Sequence, residues 1–257
     1  MNDKQINITA LLITFNEGKH IEEAIKTVSF ADEIIVVDSY STDKTLKILE
    51  NFNHVKVIKR EFKNFADQRN FAIDQAVGNW ILFLDADERI PENLKNEILE
   101  SIKNPKDVSA FMFKRLFYFN NKRVYFCGLQ TDTTYRLFKN GSVKYIEDKL
   151  VHEMPKIDGK SAVLKNPMQH YSFDNYEHFK LKMENYAKLK AKELFMKGKK
   201  ASPFHFVFRP IYKFITNYVI RLGFLDGKKG VNLCYLMAYG VWYRYKTLKG
   251  LHLKKSM

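Results

Sequence analysis

Several features that define large classes of protein are missing from this chain of 257 residues. Its two cysteines, Cys127 and Cys234, are too few for a disulfide framework, and their apolar surroundings identify them as small core residues. No window reaches 18 uninterrupted apolar residues, which argues against a membrane-spanning helix. No secretory signal precedes the first strand-like run, so we expect a cytoplasmic protein. Without internal repeats or low-complexity segments, the length suits one large domain or a domain with an appendage.

Acidic residues are scarce in the last part of the chain. Residues 188–257 contain 16 Lys and Arg but only Glu193 and Asp226 as acids, so this segment alone accounts for the net charge of +14. The preceding residues are balanced in charge. A neutral body with a basic tail predicts an anionic partner surface, which is either acidic lipid or nucleic acid.

The glycine-rich loops of the common nucleotide-binding folds are also missing. A dinucleotide-binding fold requires Gly-x-Gly-x-x-Gly after its first strand, whereas residues 14–18 read Thr-Phe-Asn-Glu-Gly. There is no Walker loop, and the Gly-rich, Arg-bearing loop of a sugar nucleotidyltransferase is not at this turn either. These absences disfavour all three classes of enzyme.

The first hundred residues alternate strand-like apolar runs with helical patterns, which predicts an α/β sheet with right-handed crossovers. Short aromatic-rich runs after residue 109 predict strands of a second, mixed half, and residues 174–248 have a helical pattern. The predicted strands are Ile6–Thr14, Glu33–Asp38, Val55–Ile58, Trp80–Leu84, Ala110–Phe119, Arg123–Phe126 and Tyr135–Phe138. The predicted helices are Gly18–Val28, Asp43–Asn51 capped by Ser41 or Thr42, Asn64–Ala76 and Pro91–Ile102.

The most informative strand, Trp80–Leu84, leads directly into Asp85 and Asp87. In extended backbone this spacing places both carboxylates on one face. They repel each other there unless a positive charge lies between them. Mg²⁺ or Mn²⁺, held by one or two carboxylates and by substrate phosphates, meets that need. The alternative is a solvated strand end followed by a helix cap.

Open α/β sheets bind ligands beyond the carboxyl ends of their strands, and the unusual polar residues of the first half lie there. They are Thr-Phe-Asn-Glu at 14–17, Asp-Ser-Tyr-Ser-Thr-Asp at 38–43 and Leu-Asp-Ala-Asp-Glu at 84–88, together with Gln-Arg-Asn at 68–70. In this order they resemble family 2 of the glycosyltransferases. Tyr40 stands where the family commonly has glycine, so we expect an altered turn beside the nucleotide.

Later segments resemble a subgroup of that family, the lipopolysaccharide-core β-glucosyltransferases. They are Tyr-Arg-Leu-Phe at 135–138, Val-His-Glu at 151–153, His-Tyr-Ser at 170–172 and Gly-Phe-Leu-Asp-Gly at 223–227. The resemblance implies a GT-A nucleotide-diphospho-sugar transferase fold, which is a Rossmann-like mixed sheet flanked by helices, with a C-terminal helical extension. It implies a catalytic domain at 1–170, divided into a nucleotide-binding half (1–105) and an acceptor half (106–170), and a basic, aromatic-rich helical region at 171–257.

The implied function is an inverting, metal-dependent transfer of a hexose to a lipid-linked glycan such as lipopolysaccharide core, with UDP-glucose as the expected donor. The alternative is the same chemistry on a capsule, exopolysaccharide or protein acceptor. A non-enzymatic nucleic-acid-binding module is a remote alternative suggested by the charge, but it leaves the acidic strand ends unexplained. We therefore expect no nucleic-acid partner.

The resemblance also assigns roles to residues. Asp87 is expected to bind Mg²⁺ or Mn²⁺ directly, Asp85 to bind it directly, through water or to reach the ribose, and His152 to be a third ligand or an acceptor contact. Asp38 is alternatively a turn-forming residue, and Arg69 an exposed ion-pair partner. The expected nucleotide-sugar contacts are Thr14, Asn16, Glu17, Asp38, Ser39, Gln68, Arg69, Asn70, Asp85 and Ala86.

An inverting transfer needs one general base, which takes the proton of the acceptor hydroxyl. Glu147, Asp148 and Glu153 are the candidates in the second half of the chain. The resemblance places Val-His-Glu opposite the donor, so we favour Glu153 as the base, with Asp148 second.

Aromatic and basic residues alternate in the C-terminal region, as in helices that lie in a membrane interface. We expect residues 188–257 to bind the anionic inner face of the cytoplasmic membrane, near a lipid-linked acceptor. The alternative is a helical cap that packs on the catalytic domain and leaves its basic face in solvent.

Overall fold

A computed structural model describes residues 8–146 and 155–255. Strands and helices alternate through the first hundred of these residues, as predicted. The strands are β1 (Ile8–Thr14), β2 (Glu33–Asp38), β3 (Val55–Lys59), β4 (Trp80–Phe83), β5 (Glu88–Arg89), β6 (Val108–Phe119), β7 (Lys122–Arg123), β8 (Thr133–Lys139), β9 (Val143–Tyr145), β10 (Pro155–Ile157), β11 (Lys160–Val163) and β12 (Met168–Phe173). The helices are α1 (Ile21–Thr27), α2 (Thr45–Leu49), α3 (Phe65–Gln75), α4 (Glu92–Lys103), α5 (Tyr176–Met196), α6 (Pro203–Ile215) and α7 (Gly227–Lys255), with a π-helical turn at Thr216–Ile220 and a 3-10 turn at Gly223–Asp226.

The described residues group into two compact units. The first contains residues 8–115, 133–146 and 155–170, and the second contains residues 116–132 and 171–255. The first unit holds the alternating elements, and the second holds α5, α6 and α7. Residues 116–132 therefore group with the C-terminal helices and not with the sheet that precedes them in the chain.

The sheet of the first unit is mixed, with neighbouring strands in the order β3-β2-β1-β4-β8-β6. The first four run parallel, and β8 pairs with β4 and β6 in the antiparallel sense. Parallel strands that are covered on both faces read as continuous apolar runs, because each face must avoid water. β1, β2 and β4 have this pattern, and their side chains are almost entirely buried. The predicted α/β class is confirmed.

Alternate side chains of each central strand enter two different cores. Ala10 and Leu12 of β1 pack with α1 and α4, while Leu11 packs with Ala66 and Ala72 of α3 on the other face. This alternation follows from the two-residue period of a strand. Helices on both faces thus leave the ends of the strands as the open edge of the unit.

Two predicted boundaries were wrong. In each case a carboxylate accepts hydrogen bonds from the groups that the prediction had placed in a helix cap or a strand. α2 begins after Lys44, without a side-chain cap, since the Ser41 hydroxyl donates to Asp38 instead. The strand predicted at 123–126 ends at Arg123. The Val124 amide still donates to the Phe117 carbonyl of β6, but the amides of Tyr125 and Phe126 donate to the carboxylate of Asp226 at 3.1 and 2.9 Å.

In the second unit, α5 and α6 both pack against α7. Phe117 and Phe119 of β6 join Phe173, Phe179 and Leu233 in its main core. Cys127 and Cys234 are both fully buried in the same core, which confirms their interpretation as core residues. No helix of the described residues is long and apolar enough to cross a membrane.

Gly230→Ala should destabilise this second unit. A methyl group at position 230 would lie 1.9 Å from the carbonyl oxygen of Gly223, so the backbone must move, at a cost of about 1–3 kcal/mol. Gly250→Ala is the matched control in the same helix, because nothing lies within 4 Å of the added methyl. There the better helix propensity of alanine should stabilise by up to about 1 kcal/mol. The measurement is the urea concentration at the midpoint of unfolding for each variant. Equal shifts of this midpoint in the two variants would contradict the close packing at Gly230.

Candidate functional site

Two loops meet at the carboxyl ends of β1 and β2. Parallel pairing sets Thr14 opposite Asp38, and the backbone amide of Ser39 donates to the Thr14 carbonyl at 2.9 Å. The Asp38 side chain is fully buried and accepts from the backbone amide and the hydroxyl of Ser41. Asp38 thus closes a turn, as its alternative interpretation predicted, and its position at the strand end holds the loop beside Thr14.

The loop after β1 is tied to the loop after β2 by a set of crossing hydrogen bonds. The side-chain oxygen of Asn16 accepts from the Thr42 amide at 2.7 Å, and the amide of Asn16 donates to the Ser41 hydroxyl at 2.8 Å. Next along the chain, the amide of Glu17 donates to the Thr45 hydroxyl at 2.9 Å. The side chain of Asn16 is therefore occupied in joining the loops.

Tyr40 adopts a left-handed backbone conformation, with φ at 60°, and its side chain is 57% exposed. Glycine reaches this conformation without steric cost, whereas a residue with a Cβ is strained there. The strain explains why glycine suits this position. Tyr40 also adds an exposed aromatic ring to the loop that follows Asp38.

The segment after β4 differs from the expected extended strand. Residues 85–88 form a turn, closed by the Glu88 amide, which donates to the Asp85 carbonyl at 2.9 Å. The Glu88 carboxylate in return accepts from the Asp85 amide at 3.1 Å. In a turn, Asp85 and Asp87 need not share a face, and the structure gives the two carboxylates different partners.

A cluster of alternating charges surrounds Asp85. Its two oxygens accept separately from Arg69, at 2.9 Å, and from Arg136. Arg136 also makes a two-pronged contact with Glu88, in which Nε and Nη2 donate at 2.8 and 2.7 Å, and Arg115 lies 3.7 Å from the same carboxylate. Glu88 is completely buried, and 5% of the Arg136 side chain is exposed. The repulsion at this strand end is thus relieved by arginine.

These contacts shift the ionisation of the groups involved. Burial alone would raise the pKa of Asp85, but the charges of Arg136 and Arg69 outweigh burial and hold this pKa well below its usual range. Burial would likewise lower the pKa of Arg136, and the nearby Asp85 and Glu88 carboxylates raise it instead. Asp85 is therefore an anion whose two oxygens are already engaged by guanidinium groups.

Asp87 lies beside His170, with 3.2 Å between its Oδ2 and the His170 Nε2. The contact arises because β5 pairs with β12 in a register that sets Glu88 opposite His170. Ligands in adjacent positions of an octahedral ion, with bonds of about 2.1 Å, lie about 3 Å apart. Carboxylate oxygen suits Mn²⁺ and Mg²⁺, and imidazole nitrogen is a common ligand of transition metals. Asp87 and His170 therefore fit a divalent cation, although no group of three or more such ligands occurs among the described residues.

Two buried polar atoms at this edge have no hydrogen-bond partner among the described residues. They are the Thr14 hydroxyl and Nη1 of Arg69. A buried polar atom without a hydrogen-bond partner costs free energy. A bound polar ligand could therefore form a favourable hydrogen bond with each of these two atoms. Arg69 is otherwise fixed, with its guanidinium 5.2 Å from the ring centre of Phe83 and 5.5 Å from that of Tyr145.

The family model described as glycosyl transferase family 2 matches residues 9–156. The chain belongs to this family. An uncharacterized glycosyltransferase of Rickettsia felis is 31% identical over 97% of this chain and 92% of its own length. The lipopolysaccharide core biosynthesis glycosyltransferase LpsC of Rhizobium meliloti is 22% identical over 94% of both chains. Among solved structures, the mannosyltransferase of Pyrobaculum calidifontis in complex with GDP-Man and Mn²⁺ has a TM-score of 0.55 at 14% identity and covers 94% of this chain and 86% of its own, which shows the fold.

Three other residues of this glycosyltransferase that were expected to contact the nucleotide sugar make hydrogen bonds within the protein. Gln68 is buried and donates to the Ser39 hydroxyl at 3.1 Å, which positions the loop after β2. Asn70 uses both ends of its amide on the backbone of Tyr145, at 2.9 and 2.8 Å, so it ties strand β9 to α3. Ala86 is buried, and its carbonyl accepts from Arg89 at 2.7 Å.

Four of the predicted site residues cannot be placed, whereas three residues of the site were not predicted. Glu147, Asp148, His152 and Glu153 lie outside the described residues. Conversely, the sequence analysis gave no role to Glu88, Arg136 or His170. Arg136 and His170 belong to quoted motifs, Tyr-Arg-Leu-Phe and His-Tyr-Ser, so the signal was present, but only the strand pairing reveals which carboxylate each of them contacts.

Arg136→Met should strongly destabilise the protein at neutral pH. The change leaves Glu88 buried without its two-pronged partner and removes one of the two arginines on Asp85, at a cost of about 3–5 kcal/mol. Because the pKa of Asp85 is lowered in the folded protein, its ionisation stabilises the fold above about pH 4 and this contribution declines as the pH falls. The difference in the free energy of unfolding between wild type and Arg136→Met should therefore become smaller as the pH falls.

The control is Arg123→Met, since Arg123 is exposed and its guanidinium lies over Tyr125 at 4.4 Å. Its effect should stay below about 1 kcal/mol at every pH. Chemical unfolding of both variants between pH 3 and 7 makes the measurement. A loss at Arg136 no larger than the loss at Arg123 would contradict the buried cluster.

Proposed function

We propose that this family 2 glycosyltransferase is an inverting, metal-dependent hexosyltransferase that moves glucose from UDP-glucose onto a lipid-linked glycan such as lipopolysaccharide core. The observation that carries the proposal is the edge beyond β1, β2 and β4. There Thr14 ends β1, and its hydroxyl has no hydrogen-bond partner among the described residues. Asp85 follows β4 and is contacted by two arginines, and Asp87 lies 3.2 Å from His170 of β12. Ligands of open α/β sheets bind at this edge.

The relatives support the choice of donor class and acceptor. LpsC is named for lipopolysaccharide core biosynthesis and aligns with nearly the whole chain, and the solved mannosyltransferase holds GDP-Man with Mn²⁺ on the same fold. The alternative is a capsule, exopolysaccharide or protein acceptor, with the donor bound in the same way beyond the ends of β1, β2 and β4. UDP-glucose follows from the resemblance to the glucosyltransferase subgroup.

In the proposed mechanism, the loops after β1 and β2 bind the nucleoside, with Thr14, Glu17 and Ser39 facing it and Asp38 holding the turn. Arg69, aligned by Asp85 and by the two aromatic rings, offers Nη1 to a phosphate or sugar oxygen. Asp87 and His170 would hold the divalent cation, with His152 as a further candidate ligand. When bound, the cation neutralises charge on the diphosphate as a Lewis acid.

The acceptor side requires a base in the second half of the chain. We propose that Glu153 takes the proton from the acceptor hydroxyl as that oxygen attacks the anomeric carbon and the diphosphate leaves. Asp148 is the second candidate. The basic region at residues 188–257 is proposed to hold the enzyme on the anionic inner face of the cytoplasmic membrane, where a lipid-linked acceptor would be reached.

Asp87→Asn should remove the dependence of donor binding on metal. In wild type, UDP-glucose with Mn²⁺ should stabilise the fold by about 2.7 kcal/mol at a concentration one hundred times Kd, and more than other UDP- and GDP-sugars do. Asp87→Asn should lose most of this gain, because a neutral amide is a poor cation ligand. Thermal unfolding against a panel of nucleotide sugars, with Mn²⁺ or EDTA, makes the measurement.

Asp74→Asn is the matched control, since Asp74 is an exposed carboxylate of α3 and should leave the stabilisation unchanged. Equal stabilisation of wild type by UDP-glucose with Mn²⁺ and with EDTA would refute the metal site. Stabilisation by a different nucleotide sugar would keep the site and replace the donor.

Glu153→Gln should abolish transfer and spare the donor. The amide cannot accept the acceptor proton, so the transfer rate should fall by about 10²–10⁴-fold, while the thermal stabilisation by UDP-glucose and Mn²⁺ is retained. Asp148→Asn is the control for a neighbouring acid, and it should keep most of the activity. If Asp148→Asn loses transfer and Glu153→Gln retains it, the base is Asp148.

A further inference from the structure

Helix α6 of the second unit has no buried residue, although its sequence is strongly apolar. It begins with a capping box, in which Ser202 and His205 bond each other's backbone and side chain, so the helix has a defined start. The following π-helical turn continues it to Ile220. Together they form about 27 Å of continuous helix at 1.5 Å per residue.

One face of this helix packs inward and the opposite face remains exposed. Phe206, Phe214 and Tyr218 join the cores that include α7. The exposed side is an apolar row at intervals of three and four residues, with side chains between 46% and 59% exposed. This outer stripe consists of Phe204, Phe208, Ile211, Ile215 and Val219.

The charges around the outer stripe are of one sign. Arg209, Arg221 and Lys228 are exposed on the same stretch of chain. Glu193 is the target of Lys190 and Lys197, each at 2.6 Å. Asp226 is buried, with two backbone amides donating to it. Since these are the only acids of residues 188–257, the region presents a net positive surface without an uncompensated carboxylate.

We propose that the outer stripe lies in the plane of an anionic lipid bilayer, with its apolar side chains among the acyl chains and its basic residues at the headgroup phosphates. Apolar side chains flanked by Lys and Arg are typical of helices that bind a membrane interface. This inference rests on the proposed function for its biological sense, because it names the surface that reaches a lipid-linked acceptor.

The other occupants of such a stripe meet physical objections. A second copy of the chain would bring the same positive charge to the contact, which disfavours close association. Nucleic acid would satisfy the basic residues, but it would leave five large apolar side chains in water. An anionic bilayer satisfies both the apolar row and the charge.

The test is flotation of the full chain with vesicles of phosphatidylcholine alone or with phosphatidylglycerol at one part in four. We expect binding to the anionic vesicles at low salt, weaker binding at moderate salt, and little binding to the neutral ones. Phe208→Ser with Ile211→Ser should lower the partition coefficient about tenfold or more. Arg209→Gln with Lys228→Gln should weaken binding to anionic vesicles and flatten its salt dependence.

Leu181→Ser with Tyr186→Ser is the matched control, because these exposed apolar residues lie on α5 of the same unit. This double variant should bind as wild type does. No vesicle binding by wild type, or equal losses in the two double serine variants, would overturn the proposal. Self-association that is abolished by Phe208→Ser with Ile211→Ser would assign the stripe to a second copy instead.

The assay needs no donor, metal or turnover, so its result is independent of the proposed transfer reaction. Thermal stabilisation by nucleotide sugar should be the same in wild type and in Phe208→Ser with Ile211→Ser. Loss of vesicle binding with retained donor binding would support the stripe as a membrane surface. Retained vesicle binding in a protein that binds no nucleotide sugar would leave the stripe intact and remove the proposed enzyme.

Discussion

The contact of Arg136 with Asp85 and Glu88 is the constraint around which the candidate site is built. It joins strand β8 to the partly exposed Asp85 after β4 and to the start of β5, and the Arg136 and Glu88 side chains are almost inaccessible to water. A buried ion pair gains little by itself, because desolvation cancels much of the attraction, but removing one partner leaves an uncompensated charge. The turn at residues 85–88 is therefore held in one conformation, and with it the positions of Asp87 and Arg69.

This arrangement changes the physical argument for a cation. Two neighbouring carboxylates suggest a metal because they repel, yet arginines already neutralise Asp85. The case for a cation rests instead on Asp87, whose carboxylate lies 3.2 Å from the imidazole of His170. In the proposed mechanism Asp85 has a different task, which is to align Arg69 so that Nη1 of its guanidinium faces a bound ligand. The proposal thus assigns a positioning role to Asp85 and a cation-binding role to Asp87.

The second unit separates the tasks of packing and surface recognition along one helix. The inward side chains of α6 close the core on α7, and the outer stripe remains in solvent beside positive charge. The region's two acids are neutralised, one by lysines and one by backbone amides. The basic excess recognised in the composition is consequently a property of the surface and is not cancelled by local pairing.

The sequence by itself determined the covered parallel strands, the alternation of helices and the family, because these depend on local patterns of apolar residues and on short motifs near strand ends. It also indicated Thr14, Asp38 and Asp87 as residues of one edge, since parallel strands bring their carboxyl ends together. Only the tertiary structure decided that Asp85 pairs with Arg136, that His170 meets Asp87 and that Asn70 binds a strand backbone. The residues in these three contacts are 51, 83 and 75 positions apart in the chain, respectively. Antiparallel register and turn geometry set such contacts, and neither is legible in a local pattern.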